Sequence, residues 1–392
     1  MYAYCPWVKV GERLQMLTPA VGCFAFSPSE RYLAWVEGPD MRAVQVSELP
    51  SMRTVCTLAG SDFFALSWVG DEVLRVVRAD RDRIVVTRHA VPDGGALGVA
   101  AVPRDSLTMQ AQSSADGRVV LIRQAHFRQS QRTSRAFLVG ARSDDAVTEL
   151  SLLDPRMPSG PDARAQVDCA LAPDGHRVGI VFHGAPRADP RVSFVTGGGD
   201  RVAEVPLERG DVQVIGWVSP TALLLHVGTA LVRAELDGTS ALVTPVPALT
   251  SLDDFDLHPE RGQILHCVRS IESGRHRTLA LRVGLTPSAP DFISLSEARA
   301  PDGATRDGGA CWDRDGGIVT LTQSPRGVAN LMRRPTAVSA SVRLAHFKLI
   351  GEHPVDLALT ASPRRDHFIA AWRCFDRGPA DPVRRLALVS AP

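Results

Sequence analysis

The densest set of metal-capable side chains is Asp253-Asp254-Phe255-Asp256-Leu257-His258. Alternation along a strand puts Phe255 and Leu257 on one face and Asp254, Asp256 and His258 on the other. Oxygen donors with one imidazole suit a divalent cation, which makes these three the candidate metal ligands. A locally solvated or arginine-paired strand has the same pattern, and that is the competing reading. In two similarly patterned stretches the polar positions hold Cys23, Ala25 and Ser27, or Asp168, Ala170 and Ala172.

A second kind of chemistry lies in the arginines. Only Lys9 and Lys348 are lysine among 44 basic residues, so 42 are arginine. This fits the codon bias of a GC-rich bacterial genome, yet the planar guanidinium still grips carboxylates and phosphates bidentately. Six segments read as arginine-rich loops: 78–83, 123–135, 183–191, 269–277, 323–334 and 373–385. Candidate partner-binding residues within them are Arg78, Arg123, Arg128, Arg132, Arg135, Arg269 and Arg373. The segment 123–135 is the richest, with His126 and Phe127 among its arginines. Its chemistry suits an acidic peptide, a carboxylate patch or phosphates. A solvated charged loop is the plain alternative.

Other catalytic signatures are missing from the sequence. It has no G-x-S-x-G elbow, no H-E-x-x-H, no phosphate-binding G-x-x-x-x-G-K and no dinucleotide-binding G-x-G-x-x-G. Gly197-Gly198-Gly199 lies between two strands with no helix after it, which reads as a hairpin loop. No cofactor is expected. His183, His226 and His266 sit in or at the end of apolar strands and read as packing residues. Trp35, Trp68, Trp217, Trp312 and Trp372 fall in repeated strands and read as packing between sheets. Seven scattered cysteines without a C-x-x-C argue for a reducing compartment, not a disulfide framework.

The elements that must position these residues recur along the chain. Each copy is a short strand, a tight turn rich in Pro, Asp and Gly, then a strongly apolar strand. FAFSPSERYLAWVE (24–37), CALAPDGHRVGIVFH (169–183) and LTASPRRDHFIAAWR (359–373) are examples. Eight copies start their apolar strands near 32, 73, 118, 177, 222, 263, 317 and 368. Third and fourth strands follow, as in RVSFVT then RVAEVPL. Asp116-Gly117, Asp174-Gly175 and Asp315-Gly316 favour positive φ in the connecting turns. Helical periodicity is absent, so the chain is all-β. Repeats of roughly 40–50 residues with four strands each predict a β-propeller.

The expected architecture is one propeller over 1–392 with eight four-stranded blades, seven being the alternative. A strand at about 7–17, within residues 1–21, completes the three-stranded last blade of 355–392. Residues 22–354 supply the other seven blades. That pairing closes the ring and leaves no open edge between first and last units.

The recurring turn, through Ser27-Pro28, Pro173-Asp174-Gly175 and Ser362-Pro363-Arg364, resembles the WD40-like and TolB-like propeller repeats. Regular Gly-His and Trp-Asp dipeptides are missing, so the TolB-like flavour fits better. The resemblance covers nearly the whole chain and implies architecture and a binding platform, while the same fold also hosts enzymes.

A charge of +1 at neutral pH excludes a globally basic nucleic-acid binder. No apolar run approaches a membrane span and no signal peptide is visible, which makes the cytoplasm the expected location. The function expected is a non-catalytic protein-interaction platform that presents an arginine-rich face to an acidic protein surface. The alternative is an enzyme or small-molecule binder with its pocket at the channel mouth, in a specialised bacterial pathway. Nucleic acid is disfavoured as a partner because few aromatics or continuous basic runs accompany the arginines.

Overall fold

A computed structural model describes residues 14–17, 21–37, 42–105, 108–128, 131–140, 145–152, 167–183, 189–210, 212–245, 255–258, 263–272, 275–284, 291–299, 306–323, 328–335, 340–349, 355–374 and 383–390. The described elements are all β-strands, paired antiparallel. Seven four-stranded sheets are each built from four consecutive strands. In chain order they span 21–59, 63–103, 108–150, 167–206, 212–245, 255–299 and 306–348, and are called here the first to seventh sheets. The eighth takes three strands from 355–390 and its fourth, Leu14–Leu17, from the other end of the chain. Leu14 lies opposite Val389 and Leu17 opposite Leu386.

The burial pattern explains why the apolar strand comes second in each sheet. Tyr32–Glu37 and Arg177–Phe182 are buried at almost every position. A strand covered on both faces reads as a continuous apolar run. The outer strands Arg53–Ala59 and Val342–Lys348 instead alternate between exposed and buried.

The chain divides into two compact units, each described by itself. One holds residues 1–22, 37–40 and 247–392; the other holds 23–36 and 41–246. In the second unit each apolar cluster bridges successive sheets. Val44 and Leu58 of the first sheet pack with Trp68 and Leu74 of the second. Val86 and Val102 pack with Ile122 and Phe137 of the third. Phe194 of the fourth sheet meets Trp217 of the fifth, ring centroids 5.5 Å apart. In the other unit, Leu331 and Phe347 of the seventh sheet pack with Phe368 and Trp372 of the eighth. Each large apolar side chain buried this way contributes about 1.5–3 kcal/mol. Trp68, Trp217, Trp312 and Trp372 are therefore packing residues, as their positions predict.

Inner strands are also tied to one another by polar contacts. Trp68 Nε1 donates to the Ala25 carbonyl and Trp217 Nε1 to the Ala170 carbonyl, each at 3.0 Å. In both cases a tryptophan on one sheet's first strand reaches the preceding sheet's first strand.

The turns between first and second strands share one geometry. Gly117, Gly175 and Gly316 have φ of 69°, 73° and 79°, as the Asp-Gly pairs predict. Where the sequence has no glycine the backbone does the same: Glu30 and Arg365 take φ of 61° and 63°. The residue three positions earlier closes each turn. The Ser27, Ser114 and Ser362 hydroxyls accept from the amides of Tyr32, Val119 and His367 at 3.1, 3.0 and 2.9 Å. Successive turns also join. Ser29 donates its amide to Asp71, Ala115 to the Pro173 carbonyl, and Arg177 reaches the Pro220 carbonyl.

At the other end of the sheets the arrangement departs from expectation. The segments 123–135 and 269–277 are largely not loops. Val120–Arg128 and Gln131–Val139 form a continuous ladder, with Arg128 opposite Gln131. Gln263–Glu272 and Arg275–Gly284 do likewise, with Glu272 opposite Arg275. Arg373 and Arg384 face each other across the last hairpin. Arg78 and Arg83 are strand residues flanking the short turn 80–82.

Candidate functional site

The third sheet brings the sequence-derived arginines to a described site. Its second strand runs outward from the buried Val120 and Ile122 to Arg123, whose side chain is 13% exposed. Arg123 is ion-paired with Asp168, the second residue of the fourth sheet's inner strand Val167–Leu171. His183, just past that sheet's second strand, places Nε2 2.8 Å from the same carboxylate. Burial opposes ionisation of Asp168, but the His183 hydrogen bond and the Arg123 charge outweigh it and hold the carboxyl below its ordinary range. Burial pushes the neighbouring Cys169 thiol up to about 12 against the pull of Arg123, leaving it a neutral packing group at physiological pH.

Arg135, on the paired strand, is fixed from the other side. Its Nε and Nη2 donate to Glu149 at 2.8 and 3.0 Å, and Nη1 is ion-paired with Asp105. This double hydrogen bond lowers the Glu149 carboxyl and raises the Arg135 guanidinium. Gln124, fully buried between them, accepts from the Asp105 amide at 2.8 Å and donates to the Pro103 carbonyl at 2.6 Å. The base of the hairpin is a satisfied polar network.

Arg123 and Arg135 are thus engaged within the protein. Arg78 is half-buried and its charge helps to lower the Asp80 carboxyl, after the larger effect of the Arg81 amide. Arg128, Arg132, Arg269 and Arg373 have defined ladder positions, while their side chains lie outside the described residues.

Asp254 lies outside the described residues, as does the side chain of His258. Asp256 is described, and its carboxylate is held by arginine. Arg365 donates Nη1 to Oδ2 at 2.5 Å and Nη2 to Oδ1 at 3.0 Å, and the Trp312 amide donates to Oδ2 at 2.8 Å. Arg365 also donates to the Trp312 carbonyl at 2.8 Å. The carboxylate on this inner strand therefore joins the turn of the eighth sheet to the inner strand of the seventh. Sequence reading finds Asp256 but not Arg365, which stands 109 residues away. Among the described residues no group of three metal-capable side chains comes together.

No family model matches the sequence, and no curated protein matches it. Solved structures do match in shape. The WD40 domain of SCAP from fission yeast aligns with a TM-score of 0.54 at 10% identity, over 96% of this chain and 94% of that one. Sqt1 from Saccharomyces cerevisiae aligns with a TM-score of 0.53 at 9% identity, over 96% of each chain. A eukaryotic initiation factor gives 0.52 at 10% identity, over 95% of this chain and 91% of that one. The fold is a WD40-like β-propeller. At such identities the likeness is one of fold, and the propeller's function must be argued from its own residues. No described helix is long and apolar enough to cross a membrane.

Proposed function

We propose that the propeller is a non-catalytic protein-interaction platform of the bacterial cytoplasm, which presents arginine-rich hairpins to an acidic surface on a protein partner. We take its sheets as the blades of one eight-bladed ring over residues 1–392, closed by the strand at 14–17. The observation that carries the reading is the third sheet's hairpin. Its ladder runs on through His126–Thr133, Phe127–Arg132 and Arg128–Gln131, past the end of the inner strand at Thr108. The arginines at its base are neutralised internally, so Arg128 and Arg132 at its tip are the residues assigned to the partner. Arg78, Arg269 and Arg373 are assigned to the same role on the hairpins of the second, sixth and eighth sheets.

The test is a pull-down from native lysate with wild type and an Arg128→Glu/Arg132→Glu variant of equal thermal stability. A stoichiometric protein retained by wild type alone is the expected result. Equal retention by both, or none by wild type, overturns the reading.

The cluster of Arg123, Asp168 and His183 favours one second reading, a small-molecule binder at the channel mouth. Its signature is a bound metabolite in native mass spectrometry that disappears with Asp168→Asn.

A further inference from the structure

The geometry points to strand addition at the third sheet: an acidic, extended segment of a protein partner docks along residues 131–135 and continues the line of the outer strand. This rests on the platform reading above and specifies its partner and mode of binding.

Register supplies the first observation. The outer strand Val147–Leu150 pairs only with 136–139, and Ser151 and Leu152 after it carry no ladder pairing. The strand Gln131–Val139 therefore continues for five residues with an edge that no other described strand takes. Backbone groups on such an edge are a template for an incoming strand.

Charge supplies the second. Between Asp116 and Asp144 the sequence contains no acidic residue, while it contains six arginines and His126. Any carboxylate that answers these cations must come from outside the hairpin. Two of the arginines already show how. Asp168 reaches Arg123 from the fourth sheet. Glu149, on the outer strand itself, is gripped by Arg135 through two hydrogen bonds. The edge thus already takes an acidic side chain from a strand laid along it, and no described strand takes the next positions on that line.

The test uses the full chain and a fluorescein-labelled twelve-residue peptide alternating Glu and Val, read by anisotropy. Expected is binding that falls about tenfold or more in Arg128→Glu/Arg132→Glu and less steeply in Arg128→Gln/Arg132→Gln. Arg118→Glu, at the opposite end of the same strands, leaves affinity within about twofold. N-methylation of alternate peptide amides removes the ladder bonds without touching charge, so wild type is expected to bind that peptide about tenfold more weakly or worse. Amide exchange at 131–135 slows when the unmodified peptide is bound.

Equal binding of the N-methylated peptide overturns strand addition without relying on any variant's fold. A twelve-nucleotide RNA that binds more tightly, with the same sensitivity to Arg128 and Arg132, overturns the acidic-peptide occupant. Capture of a partner by wild type when the peptide fails to bind overturns this inference alone. Failure of both removes the platform reading with it.

Discussion

Replacing Asp168 by asparagine keeps the shape of the side chain and removes the charge that Arg123 and His183 both address. The amide keeps one acceptor oxygen, so one of the two mostly buried donors faces an NH2 group in its place and both lose the charge, which costs about 1–3 kcal/mol at neutral pH. The carboxyl is depressed below its ordinary value of 3.8 in the folded protein. Its contribution is therefore complete above that value and is lost as pH falls through the folded-state value. Urea midpoints for wild type and Asp168→Asn should differ at pH 7 and pH 5 and converge toward pH 2; a gap constant over that range removes the ion pair as its cause. The second carboxylate invites a different measurement. If Asp256 serves Arg365, as its two hydrogen bonds indicate, a double-mutant cycle of Asp256→Asn and Arg365→Met gives a coupling of about 1–3 kcal/mol. Zero coupling would return Asp256 to the pool of ligand candidates. Period-two alternation makes Asp256 legible as an inner-strand carboxylate. Its partner is not legible, because a contact across 109 residues depends on how sheets stack and leaves no local pattern.

The turns between first and second strands were the most legible elements, because Asp-Gly and Ser-Pro pairs write their backbone geometry into the sequence. They also give a sharp comparison. Gly70 and Gly117 both have positive φ, at 61° and 69°. A Cβ on Gly70 meets nothing within 4 Å, so Gly70→Ala costs only the conformational term of about 1 kcal/mol. A Cβ on Gly117 would stand 1.8 Å from the Trp68 carbonyl oxygen, a backbone atom of the preceding sheet. Gly117→Ala is expected to cost about 3 kcal/mol or more, read from urea midpoints, since strain and displaced backbone add. Comparable losses at the two sites would mean that the third sheet's turn does not bear on the second sheet. The hairpins at the opposite end were not legible. Residues 123–135 and 269–277 are arginine-rich and carry no apolar alternation, and their strands run on beyond the ends of the described inner strands. Their pairing is a backbone ladder, and side-chain pattern cannot report it.

At the scale of the molecule one joint recurs: apolar clusters bridge successive sheets within a unit, and at the first–second and fourth–fifth junctions an inner-strand bond and a turn contact are added to them. The eighth sheet is the exception in its covalent path. Its strand Val383–Ser390 is buried from Leu386 to Val389, and the strand on its outer side is Leu14–Leu17. Deleting residues 1–17 removes a four-residue ladder and opens an edge flanked by apolar side chains. At about 0.5–1.5 kcal/mol for each of roughly four hydrogen bonds lost, the truncated chain should be less stable by about 2–6 kcal/mol. It should also self-associate as concentration rises, because an open edge pairs with another. A synthetic peptide of residues 1–20 added in trans should restore both the midpoint and the monomer, read by thermal denaturation and sedimentation velocity. Rescue by that peptide, and not by a version N-methylated along 14–17, assigns the stability to the ladder itself. A truncated chain as stable as the whole would mean that the first and last strands pair without contributing to the fold, and that the eighth sheet stands on three strands alone.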